Sequence, residues 1–170
     1  HTLDVFTDRP FAGNPLAVFP HAEGLGGDAM QRIARELNLS ETVFVLPPET
    51  PSGTRRVRIF TPGREVPFAG HPTVGTAFFL VAEGLVPLEG DQVTVVLEEG
   101  VGPVPVKVTA RDGRVTAAEL TAAAAPREVP VPWSAPEAGA LVSLPAEAVG
   151  MDGASLGVRG ELLPAIASAG

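Results

Sequence analysis

Residues 72–83 constrain the fold of this chain more than any other stretch. A helix is expected to begin at Pro72, because proline suits the first helical position, and to end at Gly84. Through Ala77, Phe78, Phe79, Leu80 and Val81 its side chains are apolar nearly all the way round. Such a helix has no polar face to turn toward water, so it is buried on most sides. Something has to cover it, and the rest of the sequence supplies mainly strands.

A first strand is expected at Leu3, Val5 and Phe6, and a short apolar run at Leu16 to Phe19 follows the turn signal Gly13-Asn14-Pro15. Thr42 to Leu46 and Arg55 to Thr61 read as strands, with Val57 and Ile59 on one face of the second. Residues 61–70 read as a loop or short strand. Gln92 to Leu97, Val104 to Thr109 and Arg114 to Thr121 are β-rich, and Asp112-Gly113 marks a hairpin turn. One amphipathic helix is expected among them. Asp28 is its N-cap, Met30, Ile33, Ala34 and Leu37 form its apolar stripe, and Asn38 ends it in a left-handed conformation. The expected class is α+β, with a sheet wrapped around a central buried helix. No glycine-rich phosphate loop follows a strand, which argues against a doubly wound parallel sheet.

The composition changes after Thr121. Residues 1–122 are expected to form one domain, 123–136 an Ala/Pro-rich linker in which Trp133 buries its ring, and 137–170 the incomplete start of a second domain. Short helical hints lie around Pro145 to Val149. The chain opens on His1 inside a strand-like segment, so a few leading residues are expected to be missing.

Apolar residues make up 45% of the 170, and charged residues only 19%, so the chain can bury a core. The net charge is −8, and Arg55, Arg56 and Arg58 alternate along a strand instead of forming one patch; nucleic acid is not an expected partner. With no cysteine, thiol catalysis, thiolate metal sites and disulfides are excluded from this chain. His1, His21 and His71 lack metal-ligand spacing, so no metal is expected. No run is long and apolar enough for a membrane span, and the first residues carry no signal-peptide pattern. A cytoplasmic location is expected.

Two segments carry candidate chemistry. In Asn38-Leu39-Ser40-Glu41-Thr42, Glu41 stands between an amphipathic helix and an apolar strand. A carboxylate there is expected to be partly desolvated, which suits proton transfer; a solvated glutamate at a strand start is the plainer alternative. In Phe68-Ala69-Gly70-His71-Pro72-Thr73, a helix starting at Pro72 leaves the amides of Thr73 and Val74 free and makes a local anion site. His71 falls at the expected N-cap, able to hydrogen-bond or donate a proton; it reads equally as a capping surface histidine. Asn14 reads as a turn residue, Glu65 as a loop carboxylate and Glu36 as solvated.

Three ordered blocks resemble one family. They are Asp4-Val5-Phe6-Thr7-Asp8-Arg9-Pro10-Phe11-Ala12-Gly13-Asn14-Pro15, then Met30-Gln31-Arg32-Ile33-Ala34 through Asn38-Leu39-Ser40-Glu41-Thr42, then Arg58-Ile59-Phe60-Thr61-Pro62 with Glu65-Val66-Pro67-Phe68-Ala69-Gly70-His71-Pro72-Thr73. Together they look like the N-terminal half of a phenazine-biosynthesis PhzF-like isomerase. The resemblance implies the diaminopimelate epimerase-like fold, two similar domains with the active site in the cleft between them, and no cofactor or metal. It implies that Glu41 moves a proton in a double-bond isomerisation, with His71 as its catalytic companion. It places Asn14, Ser40, Gly70, His71, Pro72 and Thr73 around a small carboxylate-bearing substrate, and it implies a homodimer. Partners from the second domain have no counterpart in these 170 residues, so the chain alone is expected to be inactive. Epimerase relatives use two cysteines. The position expected for the first is Ala69, which leaves a one-carboxylate proton shuttle as the consistent mechanism. Two other classes stay open, an epimerase of an unrelated metabolite on the same fold and a non-catalytic binding or assembly protein.

Overall fold

The computed structural model describes residues 1–121, 127–129, 133–141, 143–146, 151–152, 161–162 and 166–168. The chain divides into two compact units, 1–121 and 122–170. The first contains β1 (Thr2–Val5), β2 (Asn14–Phe19), α1 (Gly27–Leu37), β3 (Glu41–Leu46), β4 (Arg55–Phe60), β5 (Glu65–Val66), α2 (Gly70–Ala82), β6 (Gln92–Glu99), β7 (Gly102–Arg111) and β8 (Arg114–Leu120). All eight strands form one sheet in the order β1-β2-β3-β4-β6-β7-β8, with β5 added on β4. Two pairs, β2 with β3 and β4 with β6, are parallel, and the others are antiparallel.

The sheet curls around α2. Strands from both ends of its order, β1 and β8, touch the helix, as do β2, β3, β6 and β7. Ala77 and Leu80 are fully buried, and Val74, Phe79 and Val81 nearly so. Gly75 explains the closest approach: a Cβ there would stand 2.7 Å from Val5 Cγ2 and 2.8 Å from Leu16 Cδ2. This is the expected α+β arrangement, with one correction. Phe78 turns partly outward, and Phe79 is the phenylalanine that packs inside.

The opposite face of the sheet carries α1. Met30 and Ala34 pack on Phe44, Phe60 and Ala22. Phe44 stacks on Phe19 at 4.9 Å between centroids and meets Phe60 edge-on at 5.5 Å. Strand β3 therefore feeds two cores: Val43 and Val45 point to α2, Phe44 to α1. That is why its sequence is continuously apolar and does not alternate.

Several boundaries differ from the expectation. Gly26, not Asp28, is the N-cap of α1, and Asp28 sits in the first turn where a negative charge suits the helix dipole. Leu37 is exposed, so the apolar stripe ends at Ala34. Phe6 leaves β1 at φ 66° and is exposed. Asn14 and Pro15 belong to β2 and not to a turn. The hairpin at Asp112-Gly113 has φ of 52° and 73°, as an Asp-Gly turn between twisted strands requires.

In the second unit, β9 (Arg127–Val129) is followed by α3 (Ala135–Leu141), β10 (Met151–Asp152), β11 (Glu161–Leu162) and β12 (Ile166–Ser168). β9 pairs with β12 and β10 with β11, both antiparallel. The span expected as a plain linker thus carries a strand and the start of a helix. Ser134 donates from its amide and its hydroxyl to Glu137 Oε2, 2.8 and 2.7 Å, a serine–glutamate cap three residues apart. Trp133 is 47% exposed and does not bury its ring. Of the expected helical segment, residues 147–149 lie outside the described residues.

Candidate active site

Three elements of the first unit begin at one place. Because β2 and β3 run parallel with Leu16 opposite Glu41, their N-terminal ends lie side by side. Ser40 Oγ donates to Asn14 Oδ1 across that end at 3.3 Å. Asn38 ends α1 in the left-handed conformation, φ 52°, with its amide on Ala34 O, and so turns the chain from helix to strand within three residues. The third element is α2.

Helix α2 begins at Gly70, with Ala69 as N-cap, two residues earlier than the sequence suggested. Its first intrahelical bond runs from the Thr73 amide to Ala69 O, 3.2 Å. The amide of Thr73 is therefore engaged, and the donors that precede the ladder are those of Gly70 and His71. Pro72 has no N–H to leave unsatisfied at this position. Thr73 and Pro72 are buried, and the Thr73 hydroxyl also donates to Ala69 O, 2.8 Å. The small-anion donors expected from Thr73 and Val74 thus pass to the exposed Gly70 and its neighbour.

His71 points toward Glu41. Its Nδ1 lies 3.4 Å from Glu41 Oε2, and the two side chains are 10% and 20% exposed. The alignment falls short of a hydrogen bond. Glu41 Oε2 and His71 Nε2 are both buried without a hydrogen-bond partner among the described residues. Interior polar atoms of this kind are normally paired, so an unpaired carboxylate oxygen facing an imidazole marks a site poised for a proton or a ligand group. A cavity of about 810 Å³ lies elsewhere, between β1, α2 and β8, and is lined by Leu3, Asp4, Phe6, Arg9, Phe78 and Thr116 among others. Glu41 and His71 meet directly and not across that space.

Glu99 is a candidate that the motifs did not reveal. It closes β6, is 9% exposed, and receives Thr73 Oγ1 at 2.6 Å on Oε1, while Oε2 is buried without a partner among the described residues. Burial pushes its pKa up to about 7, against the smaller opposing effect of the Thr73 hydroxyl. The period of two was the available signal: Val95 and Leu97 are buried, and Glu99 is next on that face. Glu65, read as a loop carboxylate, lies on β5 and takes two hydrogen bonds from Arg58, 2.7 and 2.6 Å, which hold its carboxyl below the usual range. Among the described residues no group of side chains could hold a metal ion, and no helix is long and apolar enough to cross a membrane.

A curled sheet around a buried helix, with a carboxylate and an imidazole at the helix start, defines an α+β domain of the epimerase-like type. The phenazine biosynthesis-like protein family model matches residues 3–155, and the chain belongs to that family. It is 41% identical over 163 residues to a trans-2,3-dihydro-3-hydroxyanthranilate isomerase of Pseudomonas aeruginosa, covering 95% of this chain and 50% of that protein. It is 46% identical over 151 residues to an uncharacterized isomerase of Mesorhizobium japonicum, covering 88% and 48%. The solved structure of a predicted epimerase from Pseudomonas aeruginosa superposes with a TM-score of 0.79 at 30% identity, covering 99% of this chain and 55% of that one. The chain spans about half the length of the curated relatives it matches.

Proposed function

We propose that this chain supplies the acid/base half of a cofactor-independent isomerase that moves a proton, and with it a double bond, on a small carboxylate-bearing metabolite. Glu41 takes a proton from a carbon next to an unsaturated centre. The C–H electron pair becomes part of a new double bond as the old one shifts, and Glu41 returns the proton to the far carbon. His71 orients the Glu41 carboxyl and exchanges a proton with it. The Gly70 and His71 amides, with the dipole of α2, stabilise the negative charge that develops or the substrate carboxylate. Asn14 and Ser40 border the substrate at the ends of β2 and β3. On this reading residues 123–136 connect to a second domain that opens at 137–170, and the whole enzyme works as a cytoplasmic homodimer without nucleic acid or membrane partners.

The observation that carries the reading is the buried, unpartnered Glu41 Oε2 standing 3.4 Å from His71 Nδ1. The first compound to test is the one in the name of the Pseudomonas aeruginosa relative, trans-2,3-dihydro-3-hydroxyanthranilate. Glu41→Gln keeps the shape but cannot shuttle a proton, so turnover by the intact protein should fall roughly 10²–10⁴-fold with binding largely kept. Undiminished turnover removes Glu41 from the mechanism. The site of the new C–H bond separates the two enzymatic classes: with substrate deuterated at the carbon that Glu41 deprotonates, an isomerase forms the new bond to hydrogen at a different carbon and an epimerase at the same carbon.

A further inference from the structure

We propose that Glu99 is a positioning residue, a carboxylic acid that keeps its proton in the folded protein through weak acid and, through Thr73, fixes the turn presenting Gly70 and His71 to Glu41. Its importance to catalysis rests on the reading of Glu41 and His71 given above; the hydrogen-bond argument does not.

Thr73 Oγ1 stands 2.8 Å from Ala69 O and 2.6 Å from Glu99 Oε1. A hydroxyl has one proton to give. With Glu99 ionised, two acceptors compete for that proton, and one of the two close oxygen pairs has no hydrogen between its atoms. With Glu99 protonated, the carboxyl donates to Thr73 Oγ1 and Thr73 donates to Ala69 O, and both short distances are accounted for. The second carboxyl oxygen agrees, since Oε2 is buried without a partner among the described residues, where a full negative charge is costly.

Among the described residues no charged side chain pairs with Glu99; Arg56 on β4, opposite Glu98, pairs with Glu49. Glu98, the neighbour on β6, accepts the amides of Glu49 and Thr50. Glu65 on β5 is held by Arg58, His71 on α2 faces Glu41, and Lys107 on β7 pairs with Glu119 on β8. Arg111, at the far end of β7, is exposed. Desolvation accordingly raises Glu99 to about 7.

The turn is gripped at two points. Ala69 is the N-cap of α2, so fixing its carbonyl orients the Gly70 and His71 amides that follow. Beside Glu99, a Cβ on Gly100 would stand 2.8 Å from Pro67 Cα, so this corner also presses on the segment leading into Ala69. Residues two apart on a helix project about 200° from each other, which lets Thr73 reach Glu99 while His71 reaches Glu41.

The test is an NMR titration of the intact protein with ¹³C-labelled glutamate carboxyls and ¹⁵N amides. The Glu99 signal, identified by its loss in Glu99→Gln, should titrate near 7 and not near 4.5. In a His71→Asn background, which leaves no imidazole beside Gly70, the Gly70 amide should move with the same midpoint, and Glu99→Gln should abolish that step. Thr73→Val keeps the volume and cuts the chain of bonds; the carboxyl should still titrate while Gly70 no longer follows. A Gly70 amide indifferent to Glu99 overturns the proposal, as does one that still follows it in Thr73→Val, or a carboxyl titrating in the ordinary range. No substrate enters this experiment, so its failure is distinct from a failure of the Glu41→Gln turnover test.

Discussion

Glu99→Gln should remove most of the pH dependence of stability that this domain shows between weak acid and neutrality. In the unfolded chain the carboxyl releases its proton near 4.5, and in the folded protein near 7. Between those values the folded state holds a proton that the unfolded state has lost. Stability contributed by this group is therefore complete below about 4.5, falls as pH rises, and is gone above about 7. That interval, at about 1.4 kcal/mol per pH unit, comes to about 3–4 kcal/mol. Glutamine is neutral throughout, and its amide still donates to Thr73 Oγ1. Urea unfolding followed by circular dichroism at about pH 4, about pH 6 and about pH 8 should show the variant gaining on wild type by about 3–4 kcal/mol across the series. Parallel stability profiles for the two proteins would refute the buried-acid argument. A wild type that gains on the variant as pH rises would reverse its sign.

Leu80→Ala, at a fully buried position on α2, should cost about 2–5 kcal/mol in the same unfolding assay. Gly75→Ala should cost about 1–3 kcal/mol, because its methyl has to displace Val5 and Leu16, and the loss should be read in unfolding and not in ligand binding. Glu98 accepts the Glu49 and Thr50 amides and the Thr50 hydroxyl, which lower its pKa, so its stabilising effect is present above the ordinary carboxylate value and lost as pH falls. Glu98→Gln should loosen the turn at residues 47–53, seen as faster amide exchange at Glu49 and Thr50 at neutral pH.

The sequence disclosed the parts of this domain that repeat a physical pattern. The all-round apolar run after Pro72 required a buried helix, and β-rich segments on both sides had to supply its cover. Asn38 could be read as a helix stop because few side chains tolerate left-handed backbone. The start of α2 was misplaced because proline is favoured at the first helical position but tolerated throughout the first turn; only the Thr73 amide on Ala69 O decides the frame. The two-residue error moved the free donors from Thr73 and Val74 to Gly70 and His71. Phe78 and Phe79 were indistinguishable by hydropathy, and the curvature of the sheet chose between them. Glu99 carries no motif to mark it, and a glutamate at a strand end is ordinarily solvated. Its neighbours of the same parity, Val95 and Leu97, were the evidence that this one is not.

The meeting of Glu41 with His71 follows from topology more than from either segment. A parallel pair needs a crossover, and α1 supplies it between β2 and β3. An antiparallel pairing would have set the start of β3 beside the end of β2, some five residues away from Asn14. On the other side of β3, Thr42 pairs with Phe60, so the end of β4 lies at the start of β3. Phe60 in turn pairs with Glu65, the first residue of β5. The two-residue β5 thus returns the chain to the level of Glu41, and the short segment from Pro67 to Ala69 delivers α2 there. Strand β4 can hold β5 at this end because β6 occupies only its beginning, at Arg55 and Arg56. The carboxylate and the imidazole, thirty residues apart in the chain, are brought together by two successive strand pairings, β3 with β4 and β4 with β5. A substitution that shifts the β4–β5 register should therefore separate them without touching either residue.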